Sequence, residues 1–172
     1  NGLSEEIIGE ALGGKRKDDV LIASKARMRI GKGPNDEGLS RHHLIRECEK
    51  SLKRLRTDVI DIYFLHEWDG VTPLEETMGA LARAVRQGKA LYVGISSYPE
   101  QQTRDAHRIL KEMGVPVILH QPSYSVLNRW IEKDRTVDAC GELGIGVIAF
   151  SPLSQGVLSG KYGAGARAGT RA

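Results

Sequence analysis

Cysteine is scarce: Cys48 and Cys140 are the only two in 172 residues, and neither falls in a Cys-x-x-Cys or Cys/His ligand spacing. That excludes a disulfide framework and a thiolate metal centre. Each lies inside an amphipathic helical pattern and reads as a buried thiol in a reducing compartment. Long apolar runs are missing too, since none approaches the roughly 20 residues of a membrane-spanning helix. The opening residues Asn1 to Glu6 are polar and acidic, without the basic-then-apolar order of a secretory or transit signal, so a cytoplasmic setting is expected. Charge of one sign is also lacking. The 25 Lys and Arg face 22 Asp and Glu, for a net +3, and aromatics make up only 5%. The cations are scattered among acids rather than gathered into an aromatic-interleaved stripe, which argues against nucleic acid as a partner. What is there, 40% hydrophobic and 27% charged residues with a mean hydropathy of −0.32, is the composition of a globular domain with one sizeable core.

The apolar pattern alternates between two periods along the chain. Ser4 to Leu12 reads as a helix, with Ser4 as N-cap and Glu5 and Glu6 in the first turn. Asp19 to Lys25 is a short continuous apolar run, the mark of a strand buried on both faces. A glycine-rich loop from Arg29 to Gly38 leads to Ser40 as the next N-cap, after which Leu44, Ile45, Cys48, Leu52 and Leu55 recur at helical spacing. Strand Val59 to His66 follows, then a helix opened by Pro73 at its first position and closed by Gly88, then strand Ala90 to Ser97. Helix Pro99 to Met113, strand Pro116 to Gln121, helix Leu127 to Glu142 and strand Ile145 to Ser151 complete the order. Apolar strands separated by single helices imply right-handed crossovers and a parallel α/β sheet. Residues 1–159 form this domain, and residues 160–172, rich in Gly, Ala and Arg, read as a tail or a truncated loop.

Polar residues gather at the carboxyl ends of these strands: Lys25, His66, Ser97, Gln121 and Ser151. Ligands of barrels and doubly wound sheets bind outside the carboxyl ends of their strands, so this is the expected functional face. Alternation puts His66 on a face with Phe64, Ile62 and Ile60, and Gln121 on a face with Leu119 and Val117. His42 and His43, in the first turn after Ser40, read as solvent-facing or loop-packing rather than metal-binding, and His107 and His120 have no ligand partner at useful spacing.

The segments SEEIIGEAL, VLIASKARMRIG, SLKRLRTDVIDIYFLHEWD, TPLEETMGALARAVRQGKALYVGISSY, LHQPSYSVLNR and AFSPLSQGVLSGKY, in this order, resemble the aldo-keto reductases. Residues 88 to 161 are most similar to the L-glyceraldehyde 3-phosphate reductase branch, itself similar to the β-subunits of voltage-gated potassium channels. The resemblance implies a (β/α)8 TIM barrel. About five β/α units of it are present here, without the N-terminal and C-terminal parts, against the eight of a closed barrel. Two open sheet edges and an uncapped apolar face would favour a homo-oligomer.

It also implies reduction of a small aldehyde or ketone with NADPH, glyceraldehyde 3-phosphate and methylglyoxal being candidate substrates. The residues themselves leave NADPH or NADH open. Of the family's Tyr, Lys, Asp and His, Lys25 and His66 match two. The Asp and Tyr have no counterpart in the residues here, and none of the five tyrosines stands at the matching position. On the cofactor side, Ser96, Ser97 and Gln121 match the residues that hold the nicotinamide carboxamide, with Ser97 in place of the usual Asn. Phe150 keeps the stacking aromatic where Tyr is common. Ser151, Leu153, Gln155 and Gly156, with Ser159 and Lys161, match the pyrophosphate loop, and Trp68 follows His66 at the mouth of the substrate pocket. The missing Tyr and Asp keep a second reading open, a non-catalytic nicotinamide-binding or assembly subunit.

Overall fold

The computed structural model describes residues 2–13 and 19–160. Five parallel strands, β1 (Ala23–Ala26), β2 (Ile60–Leu65), β3 (Ala90–Ser96), β4 (Val117–Gln121) and β5 (Gly146–Val147), lie side by side in chain order. Between them run α2 (Arg41–Leu55), α3 (Leu74–Arg86), α4 (Glu100–Glu112), and the pair α5 (Trp130–Lys133) and α6 (Thr136–Leu143), with α1 (Leu3–Ala11) ahead of β1. Among the described residues the sheet does not close on itself. This is the parallel α/β pattern that the strand and helix periods predict, and it is the pattern of a partial barrel, as the family resemblance implies.

One face of the sheet is covered and the other is open. Leu44, Leu55, Met78, Leu81, Leu110 and Cys140 project from the helices onto the covered face and are almost fully buried with Tyr63, Val93 and Ile95 of the strands. Each such side chain contributes roughly 1.5–3 kcal/mol of burial. The Tyr63 hydroxyl, pushed well above its usual pKa by burial, donates to the Leu44 carbonyl at 3.0 Å, so this buried polar group is satisfied. Register fixes the open, concave face: Lys25 pairs with Phe64, Phe64 with Gly94, Gly94 with Leu119, and Leu119 with Gly146. Leu21, Tyr92, Ile148 and Phe150 are exposed on this side. The Phe64 ring lies directly over Gly94, where an added Cβ would come within 2.3 Å of Cε1; only glycine leaves that space.

Several boundaries differ from the sequence pattern, each for a local reason. β1 begins at Ala23 rather than Asp19, because the amide of Ile22 donates to the Asp61 carboxylate at 2.8 Å rather than to a backbone carbonyl. β5 keeps two residues of the predicted run, and the chain touches the sheet again only at a single bridge between Ser123 and Phe150. Ser4 lies inside α1, whose N-cap is Gly2 at φ 91°. Pro73 and Pro99 occupy N-cap positions, one residue ahead of where Pro enters most helices. The helix expected from Leu127 to Glu142 is two: Arg135 turns left-handed at φ 64°, while the Asp134 carboxylate accepts from the amide of Glu100 at 2.7 Å and from the Thr136 hydroxyl at 2.5 Å. A register shift beside Gly94 pairs Val117 with Val93 on the covered side, so Val117 does not share a face with Gln121. Residues 161–172, which include Lys161 and nearly all of the predicted tail, lie outside the described residues.

Candidate active site

β1 and β2 bring Lys25 and His66 together at their carboxyl ends. The Lys25 ammonium stands 5.5 Å from the centre of the Phe64 ring, and the His66 amide donates to the Ala26 carbonyl at 3.0 Å. Both side chains line a depression of about 430 Å3 at the β1 edge, bounded by Arg27, Met28 and Arg29 on one side and by α1 and α2 on the other, where Glu5, Glu47 and Arg54 also reach it. Burial lowers the Lys25 pKa. Burial and then the charge of Lys25 lower that of His66, Arg27 adding to the effect and Glu67 opposing it. The imidazole is therefore neutral near pH 7, and a neutral ring beside a cation can donate a hydrogen bond to a carbonyl oxygen.

The loops after these strands are tied to each other by Asp69. Its carboxylate accepts from the amides of Leu39, Val71 and Thr72 at 3.1, 3.0 and 2.9 Å, and from the Thr72 hydroxyl at 2.6 Å. Burial raises the Asp69 pKa, but these donors outweigh it and hold it below the usual carboxylate range. Trp68, expected at the pocket mouth, packs against the core while still partly exposed.

The next two strand ends carry Ser96 and Gln121, directly paired across the ladder. Ser96 is buried and its hydroxyl donates to the Gln121 carbonyl at 2.6 Å, so it braces the strand end. The Gln121 amide is half-buried and makes no hydrogen bond among the described residues, leaving a donor and an acceptor facing the concave side. Ser97 turns out of the strand at φ 54°, which breaks the alternation that would have placed it with Ile95.

Past β5, Phe150 is 41% exposed, enough to leave its ring open to a stacking partner. Ser151, Ser154, Gln155 and Gly156 all have left-handed φ, between 46° and 100°, around a short 3-10 turn (Ser154–Ser159). Three non-glycine residues so placed within five positions are a concentration of backbone strain of the kind that marks binding loops. Phe150, Ser151, Ser154 and Gln155 line a second depression of about 530 Å3. Leu153, although in the same turn, is exposed and does not line it. The Ser159 hydroxyl donates to the Gly156 carbonyl at 2.6 Å and so closes the turn.

The opposite wall, Ser123, Ser125 and Asn128, was not among the residues singled out from sequence. The Asn128 amide donates to the Ser123 hydroxyl at 2.9 Å, and Ser125 and Ser154 share a hydrogen bond at 3.0 Å that links the two walls. The run Pro-Ser-Tyr-Ser after Gln121, polar just past a strand end, was the available signal.

No described tyrosine stands beside Lys25 and His66 in a position to give up a proton. Tyr63 and Tyr98 are buried on the covered side, Tyr92 faces the concave side one layer further from the strand ends, and Tyr124 is held by Glu132. His43 is buried with its Nδ1 at 3.0 Å from the Asn35 carbonyl, and so packs the loop after β1. Among the described residues no helix is long and apolar enough to cross a membrane.

The chain is 46% identical over 146 residues to an L-glyceraldehyde 3-phosphate reductase of Escherichia coli, covering 85% of this chain and 42% of that protein. It is 38% identical to a probable voltage-gated potassium channel subunit beta of rice, over 96% of this chain and 51% of that one. It is 39% identical to an uncharacterized oxidoreductase of Bacillus subtilis, over 99% and 55%. The chain thus spans about half the length of the curated relatives it matches. The sequence profile of the Aldo/keto reductase family covers residues 1–172, and the chain belongs to that family.

Proposed function

We propose that the protein is a cytoplasmic NADPH-dependent reductase of small aldehydes or ketones, with glyceraldehyde 3-phosphate or methylglyoxal as candidate substrates. The observation that carries this reading is the pairing of Lys25 with a neutral His66 on one concave face with Gln121 and Phe150. The residues present suit a nicotinamide dinucleotide. Gln121 offers an unengaged amide for the carboxamide, Phe150 an open ring face, and Ser151, Gln155 and Gly156 a strained polar turn for the pyrophosphate, with Ser123, Ser125 and Asn128 opposite. When bound, the cofactor would supply a hydride, and the proton that completes the alcohol would come from water or from a donor outside the described residues. The chain's own contribution is orientation and charge. His66 donates a hydrogen bond to the carbonyl oxygen and Lys25 favours the negative charge that develops there. Ser96 keeps the Gln121 strand end in place, and Ser97, Ser159 and Lys161 add contacts around the cofactor. Trp68 borders the substrate, and a homo-oligomer is the proposed assembly.

The test is NADPH oxidation by the full-length protein with small aldehydes, comparing Lys25→Met and His66→Ala. Loss of a positioned acid or polarising group lowers kcat/KM about 10²–10⁴-fold. Turnover unchanged in both variants would overturn the assignment. The likeness to a channel subunit beta favours one other outcome, cofactor binding without turnover, in which case the protein acts as a non-catalytic nicotinamide-cofactor-binding or assembly subunit.

A further inference from the structure

Arg27 lies two residues beyond Lys25 and is set up differently from an ordinary surface arginine. Its backbone is held at φ 144°, a conformation L side chains rarely adopt, and its carbonyl accepts from the Gly38 amide at 2.8 Å. Such strain persists only where the surroundings impose it. The side chain is 27% exposed, yet its Nε is buried with no hydrogen-bond partner. Only one Nη is engaged, 3.1 Å from the Glu67 carboxylate and 3.5 Å from the Met28 sulfur. Arg27 lines the depression that holds Lys25 and His66, and also the adjoining one formed by the loops after β1 and β2.

The neighbouring charges leave this guanidinium short of partners. Arg29 is occupied by Glu37, and Asp69 is saturated by its four donors. Among the described residues Glu67 is the one carboxylate within ion-pair distance of Arg27, and it is 48% exposed, while Glu5 and Glu47 line the same depression without pairing to it. An Nε–H and an Nη–H of one guanidinium form a planar fork that fits two oxygens of one anion.

We propose that Arg27 is a specificity residue of this site, taking an oxyanion carried by the carbonyl substrate, either a phosphate monoester or a carboxylate. The inference rests on the carbonyl-reduction reading and deepens it. Glu67 holds the side chain in place when no anion is present; once the guanidinium swings off Glu67 and brings its unpaired Nε out of the wall, the Nε and the second Nη supply the fork, and Lys25 adds a second cation on the same rim.

The experiment compares matched aldehydes on the full-length protein with NADPH: glyceraldehyde 3-phosphate against glyceraldehyde, and succinic semialdehyde against butyraldehyde. The charged member of at least one pair is expected to be preferred. Arg27→Met lowers kcat/KM on that charged member about tenfold or more, with little change on its neutral twin, and Arg27→Lys restores only part because an ammonium lacks the fork. Glu67→Gln, which removes the competing carboxylate, lowers KM for the charged member. Preference in the phosphate pair alone, or the carboxylate pair alone, tells which oxyanion is taken. Equal use of charged and neutral aldehydes, or an Arg27→Met loss that is the same on both, overturns this inference and leaves carbonyl reduction standing. No turnover of any of the four aldehydes overturns carbonyl reduction, and this inference with it.

Discussion

Acid should destabilise this fold through one buried histidine. The side chain of His120 is fully buried on the covered face of β4, and its Nε2 lies 3.0 Å from the Tyr98 carbonyl. That contact requires Nε2 to carry the hydrogen, which makes Nδ1 the bare acceptor, and Nδ1 has no partner. Protonating it would place an unpaired N–H of a cation in a dry core. Burial accordingly pushes the His120 pKa down to about 4, the bond to Tyr98 recovering only a little. The unfolded chain takes up a proton near 6.5, so the contribution of the neutral ring is complete above that value and is lost as pH falls from 6.5 toward about 4. The full loss is roughly 3 kcal/mol, of which about 2 kcal/mol has gone by pH 5. Urea unfolding of the protein and of His120→Gln at pH 7.5 and pH 5 measures it. Glutamine keeps an N–H for the Tyr98 carbonyl but cannot titrate. The variant should be somewhat less stable at pH 7.5, yet lose about 2 kcal/mol less than the parent on going to pH 5. His66 and His107, whose pKa values burial also lowers, titrate in both proteins and cancel in the comparison. Identical acid sensitivity in parent and variant would refute the reasoning.

Two further outcomes follow from packing and capping. Gly94→Ala puts a methyl carbon within 2.3 Å of the Phe64 ring, which must swing aside and disturb the surface beneath Lys25. A stability loss of about 1–3 kcal/mol in urea titration is expected, together with a lower rate of aldehyde reduction, and an unchanged midpoint would contradict the close approach. Ser40→Ala removes the hydroxyl that accepts from the His43 amide at 3.3 Å at the start of α2, and should cost about 1 kcal/mol in the same titration.

The fold class could be read from sequence because each β/α unit states its period clearly. Leu44, Cys48, Leu52 and Leu55 mark one face of α2, and Ile60 to Leu65 are apolar at every position but Asp61. Legibility failed where a side chain outside the local window decides the backbone. Asp61 takes the Ile22 amide from 39 residues away, and Asp134 breaks the long helix by binding both Glu100 and Thr136. Alternation within one strand groups Gln121 with Leu119, but it misplaces Val117 and Ser97, because a register shift and a left-handed residue interrupt the pleat, and only the pairing register puts Lys25 on the face of Phe64. The wall formed by Ser123, Ser125 and Asn128 escaped notice because serines past a strand end look like any loop, and only the fold brings them opposite Ser154.

The sequential order of the sheet bears on how the chain acquires this site. Every strand pairs only with its neighbours in sequence, so loops closed during folding are short and each unit can dock on the one already formed. β2 and β3 are the longest strands and among the most buried, whereas β1 and β5 are short edges with a single neighbour each. His66 and Gln121 adjoin β2 and β3, while Lys25 and the turn after Phe150 lie at the two outer strands, so the two ends of the candidate site keep their spacing only through the strands between them.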